Sequence, residues 1–577
     1  MKVLGISAFY HDAAAALIVD GEIVAAAHEE RFSRKKHDPS FPAAAIRFCL
    51  ERSSLTGQDL DAVVFYEKPI LKFDRIIESY LAVAPAGLRS FLSSFPTWMG
   101  EKLNLRKTLL DSLVDIDDCR EHWQAILRFS GHHLSHAASA FYPSPFDQAA
   151  VVTLDGVGEW TTAAIWKGQG ENLEMIEQLR FPHSPGLMYA AFTEYLGFQV
   201  NDGEYKVMGL AAYGTPRFRD LIRSHLVRIH SDGSFQLDMR YFDFIKGLVM
   251  TGRRFHALFG QPPRRGDMPL TAFHHDVAAS VQSVIEEIVA GIARRARTLT
   301  GMNQLCMAGG VALNCRANGA LWREGLYQDI WVQPAAGDAG GAPGAALAWY
   351  HLANQATRPP LSGRRDRMSH ALLGPSHDEP SVIAALQDAG LAFQRLDDEA
   401  LVELVATALS ANQVVGWFQG AAEFGPRALG ARSILASASD PGMKEKLNRI
   451  VKRREGFRPF APCVLAERAA DWFDLAWSPY MLFTARVLGE EKREMIPAAV
   501  HVDGTCRLQS VDRDDHPHLH RLLQHYESLS GIPVLLNTSF NVKDEPIVNS
   551  PQDAIRCMQN ASLDMLVMGN LVVVNPA

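Results

Sequence analysis

Two histidines one helical turn apart stand out first. In Gly131-His-His-Leu-Ser-His136, His132 and His136 would share one face of a helix and could share a metal ion. Position 133 is His, where the zinc-protease pattern needs Glu as general base, which argues against a protease. A capping or surface histidine cluster is the plain alternative. Asp155, in the stretch TLDGVG, is a carboxylate at a strand end followed by glycines. That suits a metal or phosphate loop, or an ordinary Asx-turn. Two later segments read as strand, Gly-rich loop, helix: Met307 to Asn314 with Gly309 and Gly310, and Gly337-Asp338-Ala-Gly340-Gly341. Backbone N–H groups at such helix starts can hold an anion, and glycine lets a nucleotide approach. Two tight βα turns would look the same.

A second set of residues is basic. Glu423-Phe-Gly-Pro-Arg427 leads on to Arg432, with glycines between the two arginines. Lys444 to Arg458 holds seven basic residues, and a solvated helix face accounts for several of them. Arg458 differs, because it stands among apolar residues in Phe457-Arg-Pro-Phe-Ala-Pro462. A buried arginine needs an anionic partner, and a phosphate in an arginine fork is a natural one. Arg507 in HVDGTCR, with Asn537 and Ser539 in NTSFN, extends the set.

The elements that must position these groups alternate between strands and helices. Val3 to Ser7, Ala13 to Val19 and Ile23 to Ala27 read as strands, the last two joined by an Asp20-Gly21 hairpin. A similar unit recurs at Ala149 to Leu154 and Thr161 to Trp166, closing at Lys167-Gly168, which suggests an internal duplication. Asp276 to Leu299 keeps helical spacing; Gln304 to Ala308 and Ile330 to Val332 read as strands, and a helix is expected to run through Tyr350. The whole is an α/β pattern. The Pro- and Arg-rich stretch 355–368 reads as a linker between a domain at 1–354 and one at 369–577. Strands are expected there at Val414 to Phe418 and Val534 to Leu536. The region 86–119 reads as a helical insertion.

Composition narrows the classes. A chain of 577 residues exceeds one core. Its net charge of −8, with no aromatic-basic RNA motif, speaks against nucleic acid. Seven scattered cysteines without a CxxC pair fit reduced thiols and a cytoplasmic location. No signal peptide or membrane span is expected. Nothing in the pattern decides against a homo-oligomer.

Ten stretches in one order then resemble the O-carbamoyltransferase family of nodulation-factor and antibiotic biosynthesis. They are GISAFYHDAAAALIVDGEIVAAAHEERFSRKKHD, GHHLSHAASAFYPSPF, LDGVGEW, GEYKVMGLAAYG, AGGVALNC, GDAGGAPGAAL, EFGPRALGARSIL, FRPFAP, HVDGTCR and LNTSFN. The resemblance implies an N-terminal actin-like ATPase (ASKHA) duplicated fold and a C-terminal YrdC-like domain. It implies that carbamoyl phosphate and ATP, with Mg, form carbamoyl adenylate, whose carbamoyl group goes to a hydroxyl of a small molecule. Fe(II) or another divalent metal would be held by His132, His136, Asp155 and Asp338. His11 would be the acceptor-side base, with Asp12 orienting it. Gly309, Gly310, Asn314, Gly337, Asp338 and Gly340 would hold the nucleotide. Carbamoyl phosphate would meet Arg427, Arg458, Arg507, Asn537 and Ser539, with Lys36 reaching it from the RKKHD loop. The loops around Phe9 and Tyr10, with 86–119, would shape the acceptor pocket. Where the family carries a glycine after NTSFN, this chain has Val542-Lys-Asp-Glu545, and Asp tolerates the left-handed turn. A metabolite kinase of the actin-like fold and a non-enzymatic nucleotide-gated scaffold are the alternatives. The kinase would not account for the arginine-rich second domain, and the scaffold would have no need of His11, Arg427 or Arg507.

Overall fold

The computed structural model describes residues 1–88, 90–92, 104–358, 361 and 365–575. Part of the expected insertion (89 and 93–103) and of the expected linker (359, 360 and 362–364) lies outside the described residues. The chain divides into two compact units. The first is Met1–Glu29 with His37–Arg367; the second is Glu30–Lys36 with Met368–Ala577. Two residues of the expected linker are built into the first unit: Arg358 Nε donates to the Tyr142 carbonyl at 2.9 Å, and Asp366 accepts from the Trp331 indole at 2.9 Å.

The first unit is built on two five-stranded sheets. In one, β1 (Lys2–Ser7), β2 (Ala14–Val19) and β3 (Glu22–His28) are antiparallel neighbours, and β4 (Ala62–Phe65) and β5 (Leu127–Phe129) add on in parallel. In the other, β6 (Gln148–Leu154), β7 (Thr161–Gln169) and β8 (Asn172–Arg180) are the antiparallel set, and β9 (Gln304–Ala308) and β10 (Asp329–Val332) the parallel one. Both sheets have the same spatial order, third-second-first-fourth-fifth. That repeat is the duplicated actin-like plan. The central strands β1 and β6 are buried on both faces, which is why they read as unbroken apolar runs rather than alternating ones. The Asp20-Gly21 hairpin forms with both residues at positive φ, 50° and 88°. The second hairpin is longer than expected and turns at Gly170 and Glu171. Gly168 stays in the strand, where an added Cβ would come within 2.5 Å of the Phe141 ring.

Two helices lie against these sheets. α1 (His132–Phe141) carries the paired histidines, and α2 (Gly341–Ala348) follows Asp338 directly. Small residues let α2 sit between its neighbours. A Cβ on Gly5 of β1 would lie 1.9 Å from the Ala342 carbonyl oxygen, and one on Gly344 would lie 1.8 Å from the Ser135 carbonyl oxygen. Both obstacles are backbone, so neither can swing aside. Gly344→Ala is therefore expected to lower stability by about 3 kcal/mol, at the upper end for overpacking. Thermal denaturation of the purified variant measures it. An unchanged melting temperature would mean that the two helices are not locked by this contact.

The second unit is a mixed eight-stranded sheet. Its middle is formed by strands Val415–Phe418, Arg432–Ser437, Val534–Ser539 and Ala461–Leu465 as successive neighbours. Residues 30–36 belong to this unit as a strap. Arg31 Nη2 donates to the Gly425 carbonyl at 2.8 Å, and Arg34 donates to the carbonyls of Ile547 and Pro546 at 2.7 and 2.9 Å. Asp544 sits at φ 63°, so aspartate makes the left-handed turn where glycine was expected. Among the described residues, no helix is long and apolar enough to cross a membrane.

Candidate functional site

The helical period puts His132 and His136 on one face of α1, with their Nε2 atoms 3.1 Å apart. Asp155 arrives from the end of β6, and its Oδ2 is 2.9 Å from His132 Nε2 and 3.8 Å from His136 Nε2. Asp338 arrives from the loop before α2, its Oδ1 at 3.8 and 3.6 Å from the same two nitrogens. All four side chains offer a ligand atom within 4.8 Å of one another. The glycine contacts of α2 set how close Asp338 can come, so packing and site geometry are one problem.

This donor set suits a divalent cation. Two imidazole nitrogens and two carboxylates converge in a buried place, and an uncompensated carboxylate pair there is costly. The strain shows in the neighbours. Burial alone would push His136 down, but its contacts with Asp155 and Asp338 hold it up at about 9. His11 is likewise opposed by burial yet raised to about 9 by Asp338 and Asp12. Burial works against the charge on Asp155 too, but the two histidines keep it well below the usual carboxylate range. His133, the helix neighbour, faces away to the Thr153 hydroxyl at 2.8 Å; burial and the charge of His132 push it down to about 3, so it stays neutral. Each donor points at the common centre through Nε2 or a carboxylate oxygen, as a ligand would.

His11 stands beside this cluster, with Nε2 3.8 Å from Asp338 Oδ2 and Nδ1 3.0 Å from Asp12 Oδ2. Asp12 is shared: its other oxygen is 2.7 Å from His37 Nδ1, and His37 Nε2 is 3.0 Å from Asp202. The result is a chain of alternating acids and bases, Asp338–His11–Asp12–His37–Asp202. His37 and Asp202 were missed in the sequence, although RKKHD had drawn attention to Lys36 next door. Glu159 was missed too. Its carboxylate accepts from the backbone N–H of His132 at 3.0 Å and of Lys68 at 2.8 Å, so it caps the helix that carries His132 and His136.

The glycine loops have internal duties. The Gly310 N–H donates to Asp155 Oδ1 at 3.0 Å and the Gly309 N–H to the Ala336 carbonyl at 2.8 Å. Gly309 has φ 92°, and a Cβ there would lie 2.2 Å from the Leu154 carbonyl oxygen. Gly337 and Gly340 form a tight turn, the Gly340 N–H donating to the Gly337 carbonyl at 3.0 Å. Asn314 caps its helix, Cys315–Arg323, by accepting from the Ala317 N–H at 3.1 Å, and its amide pairs with Gln282 at 3.0 and 3.1 Å. These loops thus set Asp155 and Asp338 in place.

In the second unit Gln509 bridges segments that carry some of the expected anion-binding residues. Its side chain accepts from Asn537 Nδ2 at 2.7 Å and donates to the Leu429 carbonyl at 2.6 Å, tying the stretches that carry Asn537, Arg507 and Arg427. The Arg458 guanidinium lies 3.7 Å from the Glu455 carboxylate, and the strand that follows Arg458 pairs Ala461 with Asn537. Ser539 closes the same strand. Glu423 builds the arginine loop: one buried carboxylate oxygen accepts from the N–H groups of Leu429, Ala431 and Arg432 at 2.7, 2.8 and 3.2 Å. Arg432, fully buried, spends its guanidinium on the backbone carbonyls of Gln419, Ala431, Pro375 and Gly420. It is a structural arginine. Lys452 sat in the run read mainly as a solvated face. It is 2% exposed, its ammonium donating to the Ser539 carbonyl at 2.6 Å and to Asn541 at 2.7 and 2.6 Å, and burial pushes it well below the usual lysine range. Arg449 and Glu445, in the same run, are solvated as expected.

Comparison with known proteins agrees with this architecture. Residues 2–347 match the model for the carbamoyltransferase N-terminus, and 406–575 the model for the carbamoyltransferase C-terminus. A protein of Synechocystis sp. is 47% identical, over 100% of this chain and 97% of its own length. Nodulation protein NolNO of Sinorhizobium fredii is 38% identical over 98% of this chain and 79% of its own. Nodulation protein U of Rhizobium tropici is 31% identical, covering 94% and 91%. Among solved structures, component A of (R)-2-hydroxyglutaryl-CoA dehydratase from Acidaminococcus fermentans overlaps 61% of this chain and 99% of its own at 16% identity and a TM-score of 0.30, and the fold assignment stands instead on the strand order. With both family regions matched in order along the two units, the chain belongs to the carbamoyltransferase family and is an enzyme of O-carbamoyl transfer.

Proposed function

We propose that the chain activates carbamoyl phosphate with ATP in its second, YrdC-like unit and transfers the carbamoyl group to a hydroxyl of a small-molecule natural product or saccharide in its first. The observation that carries this reading is the convergence of His132, His136, Asp155 and Asp338 on one buried point in a chain of this family. In the second unit, Arg427, Arg458 and Arg507, with Asn537, Ser539 and Lys36, bind carbamoyl phosphate. Water splits it to carbamate and phosphate. A carbamate oxygen then attacks the α-phosphorus of ATP, which enters as its Mg complex, and pyrophosphate leaves. The carbamoyl adenylate so formed carries a better leaving group than carbamate does, and keeping it on one chain limits its hydrolysis.

In the first unit, a divalent ion held by the four ligands, Fe(II) or another, would supply Lewis acidity and a template for the adenylate. The glycine loops at 309–310 and 337–340, with Asn314, would hold its nucleotide. His11 would take the acceptor's proton once a cation held by the four ligands offsets the Asp338 charge that otherwise keeps its ring protonated. Its Nδ1 is fixed by Asp12, so Nε2 is the nitrogen turned to the reaction. The acceptor oxygen attacks the carbamoyl carbon, and AMP departs. The need for ATP and carbamoyl phosphate supports a cytoplasmic setting for this reaction.

The test is pyrophosphate release by the purified protein without acceptor. A burst that requires carbamoyl phosphate is expected, and Arg507→Ala should reduce it about 100-fold, as loss of a charge clamp on a transferring phosphoryl group does. ADP in place of pyrophosphate, or a burst indifferent to carbamoyl phosphate, would return the metabolite-kinase reading to the front.

A further inference from the structure

The chain leaves β4 at Phe65 through Tyr66, Glu67 and Lys68, and Pro69 opens the next helix, Pro69–Val83. Proline at the first helical position fixes where that helix begins, so Glu67 stands just outside it. Two hydrogen bonds hold this turn. The Tyr66 N–H donates to the Ile6 carbonyl at 3.0 Å, and the Ser135 hydroxyl donates to the Tyr66 carbonyl at 2.8 Å. Ser135 lies on α1 between His132 and His136, so the turn is tied to the helix that carries both histidines.

Both side chains of the turn meet the four-residue cluster. The Tyr66 hydroxyl donates to Asp338 Oδ2 at 3.4 Å. Glu67 Oε2 lies 4.0 Å from His132 Nδ1. His132 meets Asp155 and His136 through Nε2, so Nδ1 is the ring nitrogen left over. It is buried, with no hydrogen-bond partner among the described residues. A buried N–H without an acceptor is costly, and a carboxylate at 4.0 Å attracts it without yet bonding it. Glu67 is itself buried, and the Lys72 ammonium donates to the same Oε2 at 2.6 Å. Lys72, also buried, stands 5.0 Å from the Tyr10 ring centre, and the buried Arg75 adds a second positive charge near Glu67. Desolvation offsets most of the attraction in a buried ion pair, so stability alone is a weak reason for placing one here.

We propose that Glu67 is a positioning residue for the divalent-ion site: it accepts the Nδ1 proton of His132 and holds that ring with Nε2 toward the ion, while Lys72 supplies its counter-charge. A histidine ligand is better aligned and more basic when its second nitrogen donates to a carboxylate. Lys72 balances the Glu67 charge, so Glu67 does not act as a third uncompensated carboxylate beside Asp155 and Asp338. The inference rests on the reading of His132, His136, Asp155 and Asp338 as metal ligands.

The test is cobalt(II) binding by the full chain, stripped of metal beforehand, with affinity read by competition against a chromophoric chelator. Glu67→Met/Lys72→Met replaces the pair by apolar side chains, which would fill a purely structural role. It should weaken cobalt binding about 100-fold, and Glu67→Gln/Lys72→Met, which keeps an acceptor oxygen, about tenfold. Proton NMR of the cobalt form gives a second readout. The shifted, solvent-exchangeable imidazole N–H signal of His132 should be present in the wild type and lost or moved in the double-Met variant. Circular dichroism checks folding. If the double-Met variant does not fold, the Gln-containing variant carries the test alone, and wild-type affinity in it would overturn the role. In a folded double-Met variant, wild-type affinity or an unchanged N–H signal would do the same. His136→Ala, titrated alongside, separates the two levels. Loss of cobalt there with normal binding in the Glu67 variants rejects the positioning role alone. Normal binding in His136→Ala rejects the ligand reading beneath it.

Discussion

His136→Ala should remove divalent-metal binding by the first unit and lower carbamoyl transfer by about 100-fold or more. His136 is fully buried, and its Nε2 meets His132 at 3.1 Å, Asp338 at 3.6 Å and Asp155 at 3.8 Å. Removing it takes one ligand from the set and leaves two carboxylates with less positive charge between them. The acceptor-free pyrophosphate burst, which depends on residues of the second unit, should survive. Metal content by mass spectrometry and the burst, measured together, separate the two effects. Retained metal with retained transfer would show that these four residues are a structural polar cluster. Loss of the burst together with the metal would show that the partial reactions are not divided as proposed.

Glu423→Ala should have the opposite profile. One carboxylate oxygen serves three buried N–H groups in the loop from Leu429 to Arg432. Its loss leaves three donors unsatisfied at about 1–3 kcal/mol each, so a cost of about 3–9 kcal/mol is expected if the loop does not rearrange. A rearranged loop costs less in stability but moves Arg427. Either way the carbamoyl-phosphate-dependent burst should fall steeply while metal binding by His132 and His136 persists. Chemical denaturation gives the first number and the burst assay the second. A variant with normal stability and a normal burst would show that the glycines and Pro426 hold the loop without help.

The legible parts of the site were those governed by short-range periodicity. His132 and His136 could be paired because four residues make about one helical turn. The Asp20-Gly21 hairpin, the strand at Gln304–Ala308 and the long helix Ala272–Thr300 followed from local pattern in the same way. The duplication was visible as two hairpins, but the parallel strands that complete each sheet come from distant segments, and no local signal pairs them. Asp155 and Asp338 could be joined to the histidines only through the family resemblance, because sheet topology brings them there. Lys452 was obscured by its basic neighbours. A π-helical turn at Leu447–Val451 breaks the 3.6-residue period before it, so the face expected to meet solvent turns inward. Glu159 and Glu423 carried no signal of their own, since carboxylates that bind backbone N–H groups look like any surface acid until the loops close around them.

The strap at 30–36 has a consequence for how the molecule is made. Arg31 and Arg34 emerge from the ribosome near the start of synthesis, but the carbonyls they bond, at Gly425, Pro546 and Ile547, are translated some 400 to 500 residues later. At about 5–20 residues per second, that is a wait of roughly 20–100 s. During it the strands on either side, β1 to β3 before and β4 after, can already be pairing with each other. The earliest-made segment is thus among the last to find its place, and the second half of the chain cannot be completed as a nascent unit of its own. Expressed separately from Met368 onward, it would leave the acceptors of Arg31 and Arg34 without their donors. A clean cut between the two halves of the sequence is therefore not a cut between two finished folds.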